Sequence, residues 1–230
     1  MVIGVIVAYG KSRRMGFDKL MQPLAGKTVL QRTIDALLAH ASIEHLLVVT
    51  PQARFEQLEF KDSQLQRVTR IDGGESRQAS VESALDFIQT LDTLPSRILI
   101  HDGARPLLSY EDLDKLITAS VETPSIAAMA LATRVTDTIK QQSNSGITQS
   151  IDRDSLWAMQ TPQIFQTELL MRAYQVAQEG ELKLTDEISA IENLKQPVHF
   201  IEPSSLNLKL TNPQDFQLAQ AWLNTSDPSS

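Results

Sequence analysis

The sequence predicts an α/β fold built on a mostly parallel sheet flanked by helices. Three observations predict it. The chain opens on a continuous β-branched apolar run, Val2-Ile3-Gly4-Val5-Ile6-Val7-Ala8, the pattern of a strand buried on both faces. Similar runs recur at Leu46 to Val49, Arg97 to Ile100 and Ile126 to Leu131. Between these runs apolar residues fall at helical spacing, and strands alternating with helices imply parallel pairing with both sheet faces covered.

The elements follow in order. Leu30, Ile34, Leu37 and Leu38 line one helix face after the cap residue Thr28, with Gly26 as a turn. Val81, Ala84, Leu85 and Ile88 do the same after Gly73-Gly74, and Leu113, Leu116 and Ile117 follow the N-cap residue Ser109. After about residue 132 the pattern changes. Thr133 to Lys140 and Gly146 to Ile151 are polar and β-prone around Asn144-Ser145-Gly146, which predicts a β-hairpin. So polar a hairpin has little core of its own and is marginal in isolation, so it needs a packing partner, a second subunit being one candidate. A helix is expected over Glu168 to Gln178 and another from near Thr185, with strands near Val198 and Leu208. A last helix has Asn212 as N-cap and Pro213 at its first position. Residues 1–230 are expected to form one domain, with an inserted β-arm at 133–153 and a flexible polar tail at 224–230.

The 230 residues carry a net charge of −7, are 42% hydrophobic and include no cysteine. Thiolate chemistry and disulfides are therefore excluded, which fits a reducing, cytoplasmic compartment. The acidic balance argues against a general nucleic-acid surface. The opening apolar run is too short to span a bilayer and lacks the basic flank of a signal peptide, so no membrane association is expected.

Candidate chemistry begins at the end of the first strand, where open α/β sheets bind ligands. The segment after Ala8 contains Gly10, Lys11, Arg13, Arg14 and Lys19 against one acid, Asp18. Backbone amides near Gly10 can approach a phosphate and the basic side chains can neutralise it. A solvated basic loop is the alternative; the position favours anion binding. A Gly-x-Gly-x-x-Gly fingerprint is absent, and Gly26-Lys27-Thr28 is no P-loop because Met21 stands where the motif needs glycine. Gly73-Gly74 permits close backbone contact with a planar ligand, and Ser80 can hydrogen-bond a base. Asp102, at a strand end in His101-Asp102-Gly103-Ala104-Arg105-Pro106, either ligates Mg²⁺ or caps the following turn, and Arg105 adds an anion clamp. The histidines His40, His45, His101 and His199 show no zinc spacing.

These segments, in this order, resemble the 2-C-methyl-D-erythritol 4-phosphate cytidylyltransferases over nearly the whole chain. The resemblance is carried by Arg14-Met15, Lys19, Gly73-Gly74-Glu75, Arg77, Ser80-Val81 and the His101 to Pro106 segment. Further along it is carried by Asp137 to Lys140, Asp152-Arg153, Leu156-Trp157, Gln160 to Gln163, Thr185-Asp186-Glu187 and Asn207 to Thr211. It implies a Rossmann-like, nucleotide-diphospho-sugar-transferase fold that moves CMP from CTP to methylerythritol phosphate and releases pyrophosphate. It further implies that Arg14, Lys19 and Lys209 are catalytic, holding the triphosphate and the pentavalent transition state, and that Asp102 binds Mg²⁺. Ala8, Gly10, Lys11, Gly74, Glu75, Ser80 and Ala104 would bind the nucleotide, and Asp102, Arg105 and Lys209 would meet the acceptor. In a homodimer the arm would deliver Thr138, Arg153 and Thr161 to the neighbour's substrate. Two positions depart from the family pattern: Tyr9, where a small residue is usual, and Ser12, where a second glycine is common. The competing readings are a cytidylyltransferase for another polyol phosphate such as ribitol 5-phosphate, and a catalytically silent nucleotide-binding relative.

Overall fold

The computed structural model describes residues 1–10 and 16–226. Lys11, Ser12, Arg13 and Arg14, and residues 227–230 of the expected tail, lie outside the described residues. The strands are β1 (Val2–Val7), β2 (Pro23–Leu24), β3 (Lys27–Thr28), β4 (Ile43–Val49), β5 (Val68–Ile71), β6 (Arg97–Asp102), β7 (Ala128–Arg134), β8 (Ile139–Gln142), β9 (Thr148–Ile151), β10 (Trp157–Gln166) and β11 (Val198–Ile201). The helices are α1 (Val29–Leu38), α2 (Gln52–Phe55), α3 (Asp62–Leu65), α4 (Arg77–Gln89), α5 (Tyr110–Glu122), α6 (Thr167–Glu179), α7 (Glu187–Asn193) and α8 (Pro213–Ser226).

Seven strands form one sheet in the order β11-β7-β10-β6-β1-β4-β5. β10 runs antiparallel to both β6 and β7, while the other neighbours pair in parallel. The continuous apolar runs are explained by what they face. Ile6, Leu46, Val48, Leu99 and Leu131 pack on one side with α1, α5 and α8. Their strand neighbours Ile3, Val5, Leu47, Val49, Ile98 and Ile100 pack on the other with α4, α6 and α7. Each such side chain contributes roughly 1.5–3 kcal/mol by leaving water, so a strand with alternate residues on two cores is doubly anchored. The helix starts are set by caps: Thr28 Oγ1 accepts from Gln31 N at 3.1 Å, and Ser109 Oγ accepts from Asp112 N at 3.1 Å.

The structure corrects several expectations. The stretch near Leu208 forms no strand. Its backbone groups bond to single partners instead, as when Leu210 N donates to Ala104 O at 2.8 Å. The hairpin exists as β8 and β9, with Gly146 at φ +83 in its turn, but it starts later than expected because Thr133 and Arg134 extend β7 in the central sheet. β5 (Val68–Ile71) supplies the strand expected ahead of Asp72-Gly73-Gly74, whereas β10 was not foreseen. β10 tolerates Pro162 because the ladder to β7 breaks register between Met159 and Gln163. α8 runs to Ser226, so the tail expected from Asn224 begins inside a helix. Among the described residues no helix is long and apolar enough to cross a membrane.

Candidate active site

The C-terminal ends of β1 and β6 lie side by side, with Val7 opposite Asp102. Two cavities open there. The larger, about 860 Å³, is lined by Ala8, Tyr9, Gly10, Lys19, Gly73 to Arg77, Ser80, Asp102, Ala104, Lys209 and Thr211. The smaller, about 340 Å³, is lined among others by Arg105, Gln160, Thr161, Gln163, Thr185 and Asp186. Arg77, Asp102 and Lys209 line both, so they form the wall between them.

That wall is an ion cluster. Asp102 Oδ1 accepts from Arg77 Nε at 3.1 Å, Oδ2 lies 2.7 Å from Lys209 Nζ, and Arg105 Nε is 3.8 Å away. Arg77 also makes a two-pronged pair with Glu187, at 2.5 and 2.8 Å, and Tyr174 OH donates to the same carboxylate at 3.0 Å. Burial alone would raise the Asp102 carboxyl, but Arg77, Lys209 and Arg105 together hold it well below the usual carboxylate range. Burial works against charge on Arg77 too, and Glu187 and Asp102 more than offset it. Asp102 therefore engages three cations and is not spent capping the following turn.

A second network fixes the strand end. His101 is fully buried and burial lowers its pKa to about 4, so it is neutral at pH 7. Its Nε2 faces the Arg105 carbonyl at 3.1 Å and must carry the proton. Its Nδ1 then accepts from Thr161 Oγ1 at 2.9 Å, and that oxygen accepts from Asp102 N at 3.0 Å. Asn207 Nδ2 donates to Gln160 Oε1 at 2.9 Å and to the Thr161 carbonyl at 2.8 Å, while Arg105 Nη1 donates to the Asn207 carbonyl at 2.7 Å. Lys19 Nζ donates to Leu210 O at 2.7 Å. The 207–211 segment is thus bound to β6, β10 and Lys19 by individual hydrogen bonds, which places Lys209 without any ladder.

Most of the sequence-derived residues converge. Ala8, Gly10, Lys19, Gly74, Glu75, Ser80 and Ala104 line the larger cavity, Arg105 and Thr161 the smaller, and Asp102 and Lys209 both. Ser80 is 1% exposed and its hydroxyl donates to Ser76 O at 2.9 Å, so its side chain is already engaged. Thr138 and Arg153 are exposed and line neither cavity. Thr161 lies in β10 and lines the smaller cavity of its own chain, with its hydroxyl tied to His101 and Asp102. Arg77, Glu187, Tyr174 and Asn207 had no expected role. Arg77 and Glu187 stood inside motifs; nothing in the sequence joined them.

Tyr9 packs against Gly73. A Cβ on Gly73 would fall 2.5 Å from Tyr9 Cγ and 2.8 Å from Ser80 Oγ, so only glycine lets the ring lie there. For a divalent cation, the acids on the larger cavity are Asp102 and Glu75. Among the described residues no group of three or more His, Asp or Glu forms a metal cage. Mg²⁺ is commonly held by one or two carboxylates together with substrate phosphates, and the donor set here fits that arrangement.

Comparisons with known proteins point the same way. The family model for 2-C-methyl-D-erythritol 4-phosphate cytidylyltransferase matches residues 2–225. The chain is 41% identical over 221 residues to the Prochlorococcus marinus protein of that name, covering 94% of this chain and 96% of the relative. It is 37% identical over 225 residues to the Geobacillus kaustophilus protein of the same name, covering 95% of each. A solved structure of the Francisella tularensis 2-C-methyl-D-erythritol 4-phosphate cytidylyltransferase superposes with a TM-score of 0.81 at 27% identity, covering 96% of this chain and 98% of that one.

Proposed function

The chain belongs to the 2-C-methyl-D-erythritol 4-phosphate cytidylyltransferase family, and from that premise we propose how its two adjoining cavities divide the work. The enzyme is a nucleotidyltransferase that moves CMP from CTP to 2-C-methyl-D-erythritol 4-phosphate, giving 4-diphosphocytidyl-2-C-methyl-D-erythritol and pyrophosphate in non-mevalonate isoprenoid biosynthesis. CTP takes the larger cavity, with the base toward Gly74, Glu75 and Ser80 and the phosphates toward Gly10, Lys19 and Lys209. The acceptor takes the smaller cavity beside Arg105 and Thr161. The observation that carries this division is the wall of Arg77, Asp102 and Lys209, which touches both volumes.

The nucleophile is a phosphate oxygen of the acceptor, already ionised at pH 7, so the chain need supply no general base. Its task is to align in-line attack on the α-phosphorus and to stabilise charge growing on the phosphate oxygens. Lys19 and Lys209 supply positive charge at the cavity wall, and Arg14 and Lys11, outside the described residues, are assigned to the phosphates by the family resemblance alone. Arg77 and Arg105 hold the Asp102 carboxylate ionised. Asp102 would hold Mg²⁺ together with the phosphates, and the ion would neutralise their charge. The absence of cysteine suits a cytoplasmic enzyme of this kind.

The exposed β8–β9 hairpin reaches a second subunit in a homodimer and brings Thr138 and Arg153 to the neighbour's acceptor. Arg153 Nη1 is held by the Thr136 carbonyl, which fixes the side chain against the base of the hairpin. Mixing Arg153→Ala with Lys19→Ala subunits should restore activity that neither variant shows alone; mixtures no better than the parents refute the sharing. The activity is tested by pyrophosphate release from CTP and Mg²⁺ with each acceptor in turn. Release with methylerythritol phosphate is expected. Release only with ribitol 5-phosphate, or none from folded protein, would overturn the assignment.

A further inference from the structure

Arg54 plays no part in the reaction as set out above, yet it is heavily constrained beside the nucleotide cavity. It sits on the short helix α2, directly after β4, and is 8% exposed. Burying a guanidinium is unfavourable unless its donors find acceptors. Here Nη1 donates to the Ala8 carbonyl and, at 3.4 Å, to Thr50 Oγ1. Nη2 reaches the Gly10 carbonyl at 3.5 Å and lies 2.8 Å from Asp18 Oδ2, and Nε donates to that same oxygen at 2.9 Å. Asp18 Oδ1 in turn accepts from Leu20 N at 3.1 Å, so the carboxylate brackets Lys19. Ala8, Gly10 and Lys19 all line the larger cavity.

We infer that Arg54 is a positioning residue for nucleotide binding, acting through Asp18 and the Ala8 and Gly10 carbonyls. β1 ends at Val7, so the sheet ladder itself fixes neither Gly10 nor Asp18. One planar guanidinium joins both stretches and ties the Gly10 backbone to the backbone that carries Lys19, whose ammonium donates to Leu210 O. A lysine at this position has a single nitrogen and cannot span two carbonyls and a carboxylate. The inference rests on the proposed function only in taking CTP as the ligand.

The test uses Asp18→Asn, Arg54→Lys and the double variant of the full chain. CTP affinity is measured by calorimetry, kcat and KM by pyrophosphate release, and stability by urea unfolding. Each single variant should bind CTP roughly tenfold more weakly, the loss expected for one charge-assisted hydrogen bond. At saturating CTP the KM for methylerythritol phosphate should stay within about twofold, since the acceptor cavity lies apart from Arg54. The double variant should bind no more weakly than the poorer single one, because both changes break the same link. Unchanged CTP affinity with reduced stability would overturn the inference and leave Arg54 a purely structural residue. Losses that multiply in the double variant would overturn it equally. Should Arg54→Lys fail to fold, Asp18→Asn decides alone, since Asp18 is 41% exposed and the change is isosteric. Wild-type protein that binds CTP but transfers nothing would refute the proposed reaction while the binding comparison still stands. Wild-type protein that binds no CTP would overturn both.

Discussion

Replacing Glu187 with glutamine probes the wall between the cavities. Glu187 is fully buried and accepts two Arg77 N–H groups at 2.5 and 2.8 Å and the Tyr174 hydroxyl at 3.0 Å. The amide has the same shape and keeps one acceptor oxygen, but it turns an NH₂ group toward the guanidinium, donor against donor. Breaking one side of a buried pair typically costs about 3–5 kcal/mol. Arg77 keeps Asp102 at 3.1 Å and its side chain is 27% exposed, so that figure is discounted to about 2–3 kcal/mol. Against a usual domain stability of about 5–15 kcal/mol this is large, and urea unfolding resolves it. Tyr174→Phe is the matched control, since it removes one neutral-donor hydrogen bond and should cost about 1 kcal/mol. With one anchor gone, Arg77 holds Asp102 less firmly, so kcat/KM should fall for CTP and for the acceptor alike. Unfolding of Glu187→Gln within about 0.5 kcal/mol of wild type, the range of an ordinary surface change, would refute the reasoning.

Three further outcomes are expected. Lys209→Ala or Lys19→Ala should lower kcat about 10²–10³-fold, as loss of a charge-stabilising donor does, with the unfolding transition retained; near-normal turnover in both would remove their roles. Stability should fall with acid, because His101 titrates near 6.5 when unfolded and near 4 when folded. The folded chain binds fewer protons in that window, so about 3 kcal/mol present above pH 6.5 is lost by pH 4, and urea midpoints flat across that range would contradict it. Tyr9→Ala should tighten CTP binding by clearing the ring from Gly73, as calorimetry would report, whereas unchanged or weaker binding would mean that the ring lies clear of the base.

What could be read from the sequence follows from where each residue's partners lie. β1 and β6 were legible because Ile3, Ile6, Ile98 and Leu99 face apolar cores on alternate sides, which leaves an unbroken apolar run. β10 was not, because Gln160, Thr161, Pro162 and Gln163 serve the site and the register break rather than the core. The stretch around Leu208 looked like a strand from its β-prone and apolar residues, but it spends its backbone groups on Ala104, Arg105 and Lys19. Candidates with a local signature, such as Lys19 beside the basic run or Asp102 at a strand end, reached the cavities as expected. Arg54 had none, and the motif that holds Arg77 does not name its partner. Arg54 meets Asp18 across 36 residues and Arg77 meets Glu187 across 110, so only the folded chain brings them together.

The shared wall also has a thermodynamic consequence. A ligand in either cavity must meet Arg77, Asp102 or Lys209, and each of these is charged and bonded to another. Nucleotide phosphates that draw the Lys209 ammonium away from Asp102 change the potential felt by whatever occupies the other side. The free energy of that exchange enters both binding equilibria, and linkage requires it to enter equally. The factor by which CTP alters the acceptor's dissociation constant must therefore equal the factor by which the acceptor alters that of CTP. A single salt link thus couples the two sites by the same amount whichever substrate arrives first.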